Sequence, residues 1–196
     1  STGAVIPFGQ YDDGGDLVET SFMIQGILAV RQYFDQTNSN EEQIRNLCTE
    51  IWEGVEWSWY RRTSFSNYLY WHWSPTDAWA MNMKISGWNE ALITYVLAAS
   101  SEKYAVTKDV YQNGWTRNGA FKNGNSFFGV KLPLGINMGG PLFFTHYSFL
   151  GLNPKLLTDQ YTNYFDQNKA ELDRFLNGLV EVKKAETVAH AEHAGH

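Results

Sequence analysis

Apolar residues recur at helical spacing through the first third of the chain. From about Asp16 to Phe34, the side chains of Leu17, Phe22, Ile24, Ile27, Leu28, Val30, Tyr33 and Phe34 fill nearly every face of the predicted helix. A helix that is apolar all round belongs inside a fold. The run Ser39-Asn40-Glu41-Glu42 is a capping box that predicts a second helix, reaching about Tyr60. Its apolar stripe is Ile44, Leu47, Cys48, Ile51, Trp52 and Val55. The period then shortens. Tyr68 to Pro75 alternates large aromatics and reads as a strand or extended loop, stopped by Ser-Pro. Met81 to Ser86 is expected to return as its hairpin partner. Helical spacing resumes near Asn89 and runs through Ala99, again apolar on most sides, and a short helix is expected from Thr107 to Trp115. Residues 117–140 are dense in Gly and Asn, which predicts turns and a small hairpin around Phe127 to Leu134. A last helix is expected from about Leu157. From Val182 onward the composition turns to Ala, Lys, Glu and His, the mark of a solvated or frayed end. The pattern predicts a mainly α fold of helical hairpins with small β-hairpin excursions.

Composition adds limits. A chain of 196 residues is one ordinary domain or a piece of a larger one, and 43% hydrophobic residues supply a core. The net charge is −6, with no basic stripe, so nucleic acid is not an expected partner. No apolar run approaches the ~20 residues that span a bilayer, so no membrane span is expected. The start at Ser1 shows no leader and reads as a mature or mid-chain start. The single Cys48 excludes an internal disulfide and a cysteine-based zinc site, and is expected as a buried, inert thiol. Aromatic residues are 16%, including eight Trp and eleven Tyr, whereas charged residues are only 18%. Core packing seldom demands so many rings with polar tips. They suit a cleft that stacks on flat, weakly apolar faces and hydrogen-bonds their edges, such as those of sugar rings.

Two places concentrate acids. Asp12-Asp13-Gly14-Gly15-Asp16-Leu17-Val18-Glu19 sets four carboxylates in eight residues, at the entrance to the first helix. Asp16 and Glu19 fit a capping box, which is structural. They also share a helix face, and close carboxylates raise one another's proton affinity as acid–base chemistry requires. In Gly87-Trp88-Asn89-Glu90, an acid enters the expected third helix beside an indole. It either serves the helix dipole or acts as a general acid tuned by apolar neighbours. In Tyr70-Trp71-His72-Trp73, alternation puts Tyr70 and His72 on one face and Trp71 and Trp73 on the other. That is a core strand with one satisfied histidine or a sugar-stacking wall, and His146 carries the same two readings. His190, His193 and His196 recur every third residue and could hold a transition metal only weakly, as part of a solvated tail.

The segments DDGGDLVETSFMIQGILAVRQYF, YLYWHWSP, MNMKISGWNEALITYVLAAS, LPLG, GGPLFFTHYSFLGLNP and NYFDQN together resemble the bacterial glycoamylase-like family. That family includes the endo-β-1,2-glucanases of glycoside hydrolase family 144, and a related domain occurs in cyclic β-1,2-glucan synthases. The resemblance covers about residues 1–168, leaving 169–196 as a divergent C-terminal helix and His-containing tail. It implies part of an (α/α)6 barrel, and an inverting hydrolysis of a β-glucan that needs no metal or other cofactor. The family's carboxylates fall on Asp12, Asp16, Glu19 and Glu90. Glu90 is the expected general acid, and Asp16 or Glu19 is expected to position or activate water. Tyr70, His72, Trp73, Trp88 and His146 are the expected contacts to an oligosaccharide or polysaccharide. The resemblance also implies work in the periplasm or outside the cell. Family domains are roughly twice as long. Inner helices left without their barrel partners would present bare apolar surface, through which chains could associate. A non-catalytic, sugar-binding remnant of the fold is therefore the alternative, and a helical protein whose acids are only caps is a third reading.

Overall fold

The structure is a computed structural model that describes residues 6–194, with side chains described through residue 186. Helix α1 spans Leu17–Tyr33 behind the short strand β1 (Gly15–Asp16). Helix α2 spans Ser39–Glu53 and packs along α1. Its N-cap is Asn38, one residue before the expected box. The Asn38 side chain accepts from the Glu41 N–H at 3.0 Å and donates to the Glu41 carboxylate at 3.0 Å. The helix ends at Gly54 rather than near Tyr60, because Trp57 must turn into the core against Trp52, with ring centroids 5.8 Å apart. A 3-10 turn over Trp57–Arg61 follows.

The aromatic segment forms two strands with different partners. Strand β2 (Leu69–Tyr70) pairs antiparallel with β4 (Lys84–Ile85), the expected hairpin. Strand β3 (His72–Trp73) pairs instead with β1, Asp16 opposite His72 and Gly15 opposite Trp73. Trp71 is the crossing point. Its N–H donates to Met83 O and its C=O accepts from Leu17 N, both at 2.9 Å. The tyrosine hydroxyl of Tyr95 fastens this ribbon to helix α3 (Leu92–Ser100), donating to Ile85 O at 2.7 Å.

Helix α3 begins at Leu92, later than its apolar spacing suggests. Asn89 accepts from Ala91 N, and Ile93 N donates to the hydroxyl of Ser148 from a distant turn. Residues Val110–Trp115 form a π-helical turn where a short α-helix was expected. A small hairpin joins β5 (Ser126–Phe127) to β6 (Val130–Lys131). Helix α4 spans Tyr164–Ala194, capped by Asn163, whose side chain accepts from Phe165 N. The residues before it, from Leu157, are held as a loop by Asp159, which accepts from the N–H groups of Tyr161 and Thr162.

Leu17, Val18, Ile24, Trp57, Leu69, Ile85, Leu92 and Trp115 form one buried core between α1, α3 and the ribbons. Cys48 is buried and free, as expected. The first helix is not covered all round: Met23, Val30 and Tyr33 are exposed. No helix among the described residues is long and apolar enough to cross a membrane.

Candidate active site

The acid-rich loop is drawn tightly onto the aromatic ribbon. A Cβ on Gly14 would overlap the Trp73 carbonyl, and one on Gly15 would overlap the Tyr60 hydroxyl. Only glycine at both positions lets β1 close on β3. That closure puts Asp16 at the mouth of α1, where one carboxylate oxygen accepts from the N–H groups of Val18 and Glu19, both at 2.9 Å. The other oxygen accepts from the indole N–H of Trp71 at 3.1 Å. Asp16 is therefore both a helix cap and a fixed wall of the cleft.

The reciprocal half of the expected capping box does not form. The Glu19 side chain makes no hydrogen bond back to Asp16. It points instead into a cavity of about 520 Å³ lined by Phe8, Asp12, Asp16, Trp71, His72 and Met83. Its proton affinity is raised above that of an ordinary carboxyl, first by desolvation, then by the charges of Asp16, Glu90 and Asp12. Glu90 lies on a turn just before α3, not in its first helical turn, and is thus within electrostatic reach of Glu19. Its carbonyl accepts from the buried Ser148 hydroxyl, which fixes the backbone that carries it. Three carboxylates, Asp12, Asp16 and Glu19, so line one cavity, and the charge of a fourth, Glu90, reaches Glu19 from a separate segment. Burial, and after it the Asp16 charge, raise the Tyr60 hydroxyl to about 12.

His72 reaches the cluster from β3. Its Nε2 lies 3.5 Å from Asp16 and 3.7 Å from Asp12. The expected alternation of faces fails at this point. Trp71 and His72 stack, with planes 9° apart, on the same side of the ribbon. The change of partner strand at Trp71 turns both rings toward the acids, so Trp71 joins the site although strict alternation assigned it to the opposite face. The sequence signal for it was present in the unbroken aromatic run, but not in its period.

The remaining candidates are dispersed. Tyr70 is only 8% exposed and packs on Trp79, under Arg62. Trp73 packs edge-on to Trp59. Trp88, 6% exposed, belongs to the core beside Phe149 and Tyr164. None of these three lines the cavity that holds Asp12, Asp16 and Glu19. His146 is exposed between two 3-10 turns, Leu142–Thr145 and Tyr147–Leu150, and touches none of the four acids by hydrogen bond or ion pair. The side chains of His190, His193 and His196 lie outside the described residues.

Aromatic rings and carboxylates thus line one cavity on a mainly helical frame. Residues 82–173 match the glycoamylase family model, described as "Putative glucoamylase". An exo β-1,2-glucooligosaccharide sophorohydrolase (non-reducing end) from Parabacteroides distasonis is 47% identical over 187 residues, 86% of this chain and 26% of its own length. The crystal structure of a β-1,2-glucanase from the same species superposes with a TM-score of 0.81 at 47% identity, covering 85% of this chain and 26% of that one. An endo-β-1,2-glucanase from Chitinophaga pinensis, solved with sophorotriose and glucose, superposes at 0.82 with 49% identity, covering 87% of this chain and 41% of that one. The chain is similar to glycoamylase-family proteins over residues 82–173 and to β-1,2-glucan-cleaving enzymes over most of its length. It spans less than half the length of these relatives.

Proposed function

We propose that this chain carries the acid–base centre of a glycoside hydrolase that cleaves a β-1,2-linked glucan, within part of an (α/α)6 barrel. One observation carries the reading: Asp12, Asp16 and Glu19 line one cavity together with Trp71 and His72, with Glu90 close enough for its charge to act on Glu19. The names of the relatives supply the substrate class.

The geometry suggests a division of labour. Asp16 is committed on both oxygens, to the α1 cap and to Trp71, and so positions rather than reacts. Glu19 is free of hydrogen bonds, and its raised proton affinity makes it a stronger base than an ordinary carboxylate. Glu90 is then the general acid. Glu19 takes a proton from water as the water oxygen bonds to the anomeric carbon. The glycosidic C–O bond breaks, and its electron pair takes the proton of Glu90. Direct attack by water inverts the anomeric centre, which needs room for that water between the two carboxyls.

The test is release of reducing ends from linear β-1,2-glucan by the parent chain, Glu90→Gln and Glu19→Gln. Each amide is expected to lower turnover by about 10²–10⁴. Equal rates in parent and Glu90→Gln would remove Glu90 from the chemistry. A second reading, a module that binds the glucan without cleaving it, draws on the Trp71 and His72 rings that line the cavity. That reading expects saturable quenching of Trp fluorescence by the glucan, with no reducing ends released.

A further inference from the structure

We propose that Glu171, on α4, is a positioning residue for Glu90 that acts through the loop 134–140 and Trp88, a role that rests on the reading of Glu90 as the general acid. Glu171 lines no part of the acid cavity. Glu90 sits in the stretch 87–91, between β4 and α3, which no regular element holds. The stretch is pinned from outside. Gly87 N donates to Trp115 O at 2.8 Å, the Trp88 ring is buried, and the Glu90 carbonyl accepts from Ser148.

Two of these pins are carried by parts that dock on α4. Trp88 is wedged against Phe149, against Tyr164 at the start of α4, and against Gly135, where a Cβ would meet both the Trp88 ring and the Gly139 backbone. Ser148 lies in the turn Tyr147–Leu150, directly after the turn Leu142–Thr145 that packs on α4.

Glu171 is the centre of the clamp. Gln167, Glu171 and Arg174 follow at helical spacing on α4, and all three are buried. Gln167 accepts from Leu134 N at 2.9 Å and donates to Glu171 at 3.2 Å. Arg174 donates to the Glu171 carboxylate at 3.2 Å and to the Gly140 carbonyl at 3.1 Å. Glu171 therefore joins the two side chains that grip the loop at its two ends. Gly139, with φ +96°, lies so near that a Cβ there would overlap the Glu171 carboxylate. The buried Trp88 indole N–H is close enough to draw down the proton affinity of Glu171 without hydrogen-bonding it. Apolar residues of like volume would often hold a helix and a loop together at least as well as a buried ion pair. What the charged hydrogen bonds add is a fixed direction for each group they bind. Here those groups are the loop against which Trp88 is seated, two residues before Glu90.

Glu19 reports the place of Glu90 without any turnover, because the Glu90 charge raises its proton affinity. The full 196-residue chain is labelled with ¹³C at its glutamate side-chain carboxyls, and the Glu19 signal, assigned with Glu19→Gln, is titrated by NMR. Glu90→Gln is expected to lower the Glu19 midpoint. Glu171→Gln is expected to shift it the same way, because a released Glu90 carboxylate moves away from like charges. Glu171→Gln combined with Arg174→Met, which leaves no unpaired buried charge, should do the same. So should Trp88→Phe, which keeps a ring in the core and decides the matter if neither α4 variant folds by circular dichroism. In hydrolysis the α4 variants are expected to lower kcat by up to about 10²-fold with KM little changed. A Glu19 midpoint that Glu90→Gln lowers and the folded variants leave at the parent value would overturn the proposal, and α4 would then support the fold alone. A midpoint that Glu90→Gln itself leaves unchanged would remove Glu90 from the neighbourhood of Glu19, and with it both the reading of Glu90 as the acid and the role of Glu171.

Discussion

Asp16 shows how one side chain can hold three structural hydrogen bonds and a place on the cavity wall together. One oxygen caps α1 and the other takes the Trp71 indole N–H. Asparagine caps a helix as well as aspartate does, whereas alanine at an N-cap costs ~1 kcal/mol and a stranded donor costs a further ~1–3 kcal/mol. Asp16→Ala is therefore expected to lower the melting temperature by about 4–16 °C, at ~2–4 °C per kcal/mol for a chain of this size. Asp16→Asn keeps the cap but sets its amide NH2 against the Trp71 indole N–H, so it should recover only the ~1 kcal/mol of the cap, yet lose glucan hydrolysis as fully as Asp16→Ala. Matching thermal shifts in the two variants would show that the cap does not matter. Glu19 gives a pH signature instead. Its folded-state proton affinity is raised above the usual carboxyl value of 4.5, chiefly by desolvation. The folded state then holds the proton more tightly than the unfolded chain. The stability this provides is present below pH 4.5 and is lost as pH rises through the raised value. Glu19→Gln removes that loss, so its stability relative to the parent should climb between pH 4 and neutrality. A flat difference across that range, measured by chemical denaturation, would contradict the shift.

At the scale of elements, helix α3 explains both what the sequence discloses and what it hides. Its apolar run and the acid ahead of it are legible, because helical period and the GWNE spelling are local features. Its start is not legible. The Ile93 N–H is satisfied by Ser148, whose hydroxyl in turn donates to the Glu90 carbonyl. A cap supplied from 55 residues away leaves no local signature. The same holds for the strand segment. Tyr68 to Trp73 reads as one alternating strand, yet it exchanges β4 for β1 at Trp71, and the exchange is dictated by Gly14 and Gly15 on the far side. Asp12, Asp16 and Glu19 could be read as a cluster because they are sequence neighbours. The place of Trp71 in it could not, because non-local pairing decides that. The Ser148 link gives a direct expectation. Ser148→Ala strands one buried donor and frees one carbonyl, a cost of about 1–3 kcal/mol. Amide hydrogen exchange at Ile93 should accelerate more than at the middle of α3. Uniform acceleration along the helix would mean that Ser148 stabilises the fold without capping it.

At the scale of the whole molecule, the helices bury one side and leave another bare. On α4, Leu172, Phe175, Leu176, Leu179 and Val180 follow one another at helical spacing and are all exposed, and Leu47 and Ile51 on α2 are exposed too. Scattered apolar residues on a surface are ordinary, but a continuous stripe at i, i+3, i+4, i+7 and i+8 is the pattern of a helix that packs against something. Covering the exposed part of each such side chain is worth roughly 1 kcal/mol. Five of them on one helix, met by a like set across a contact, approach the ~4–15 kcal/mol that two bodies lose in freedom when they join. The balance predicts association that is weak and dependent on concentration, not a permanent complex, with the net charge of −6 opposing it most at low salt. Sedimentation velocity of the 196-residue chain should therefore show a weight-average mass that rises with protein concentration and with added salt. Leu176→Glu combined with Leu179→Glu, which puts charge in the middle of the stripe without touching the core, should return the mass to that of a monomer. A mass that stays monomeric at every concentration, or that the double variant leaves unchanged, would mean that the stripe on α4 is not what drives these chains together.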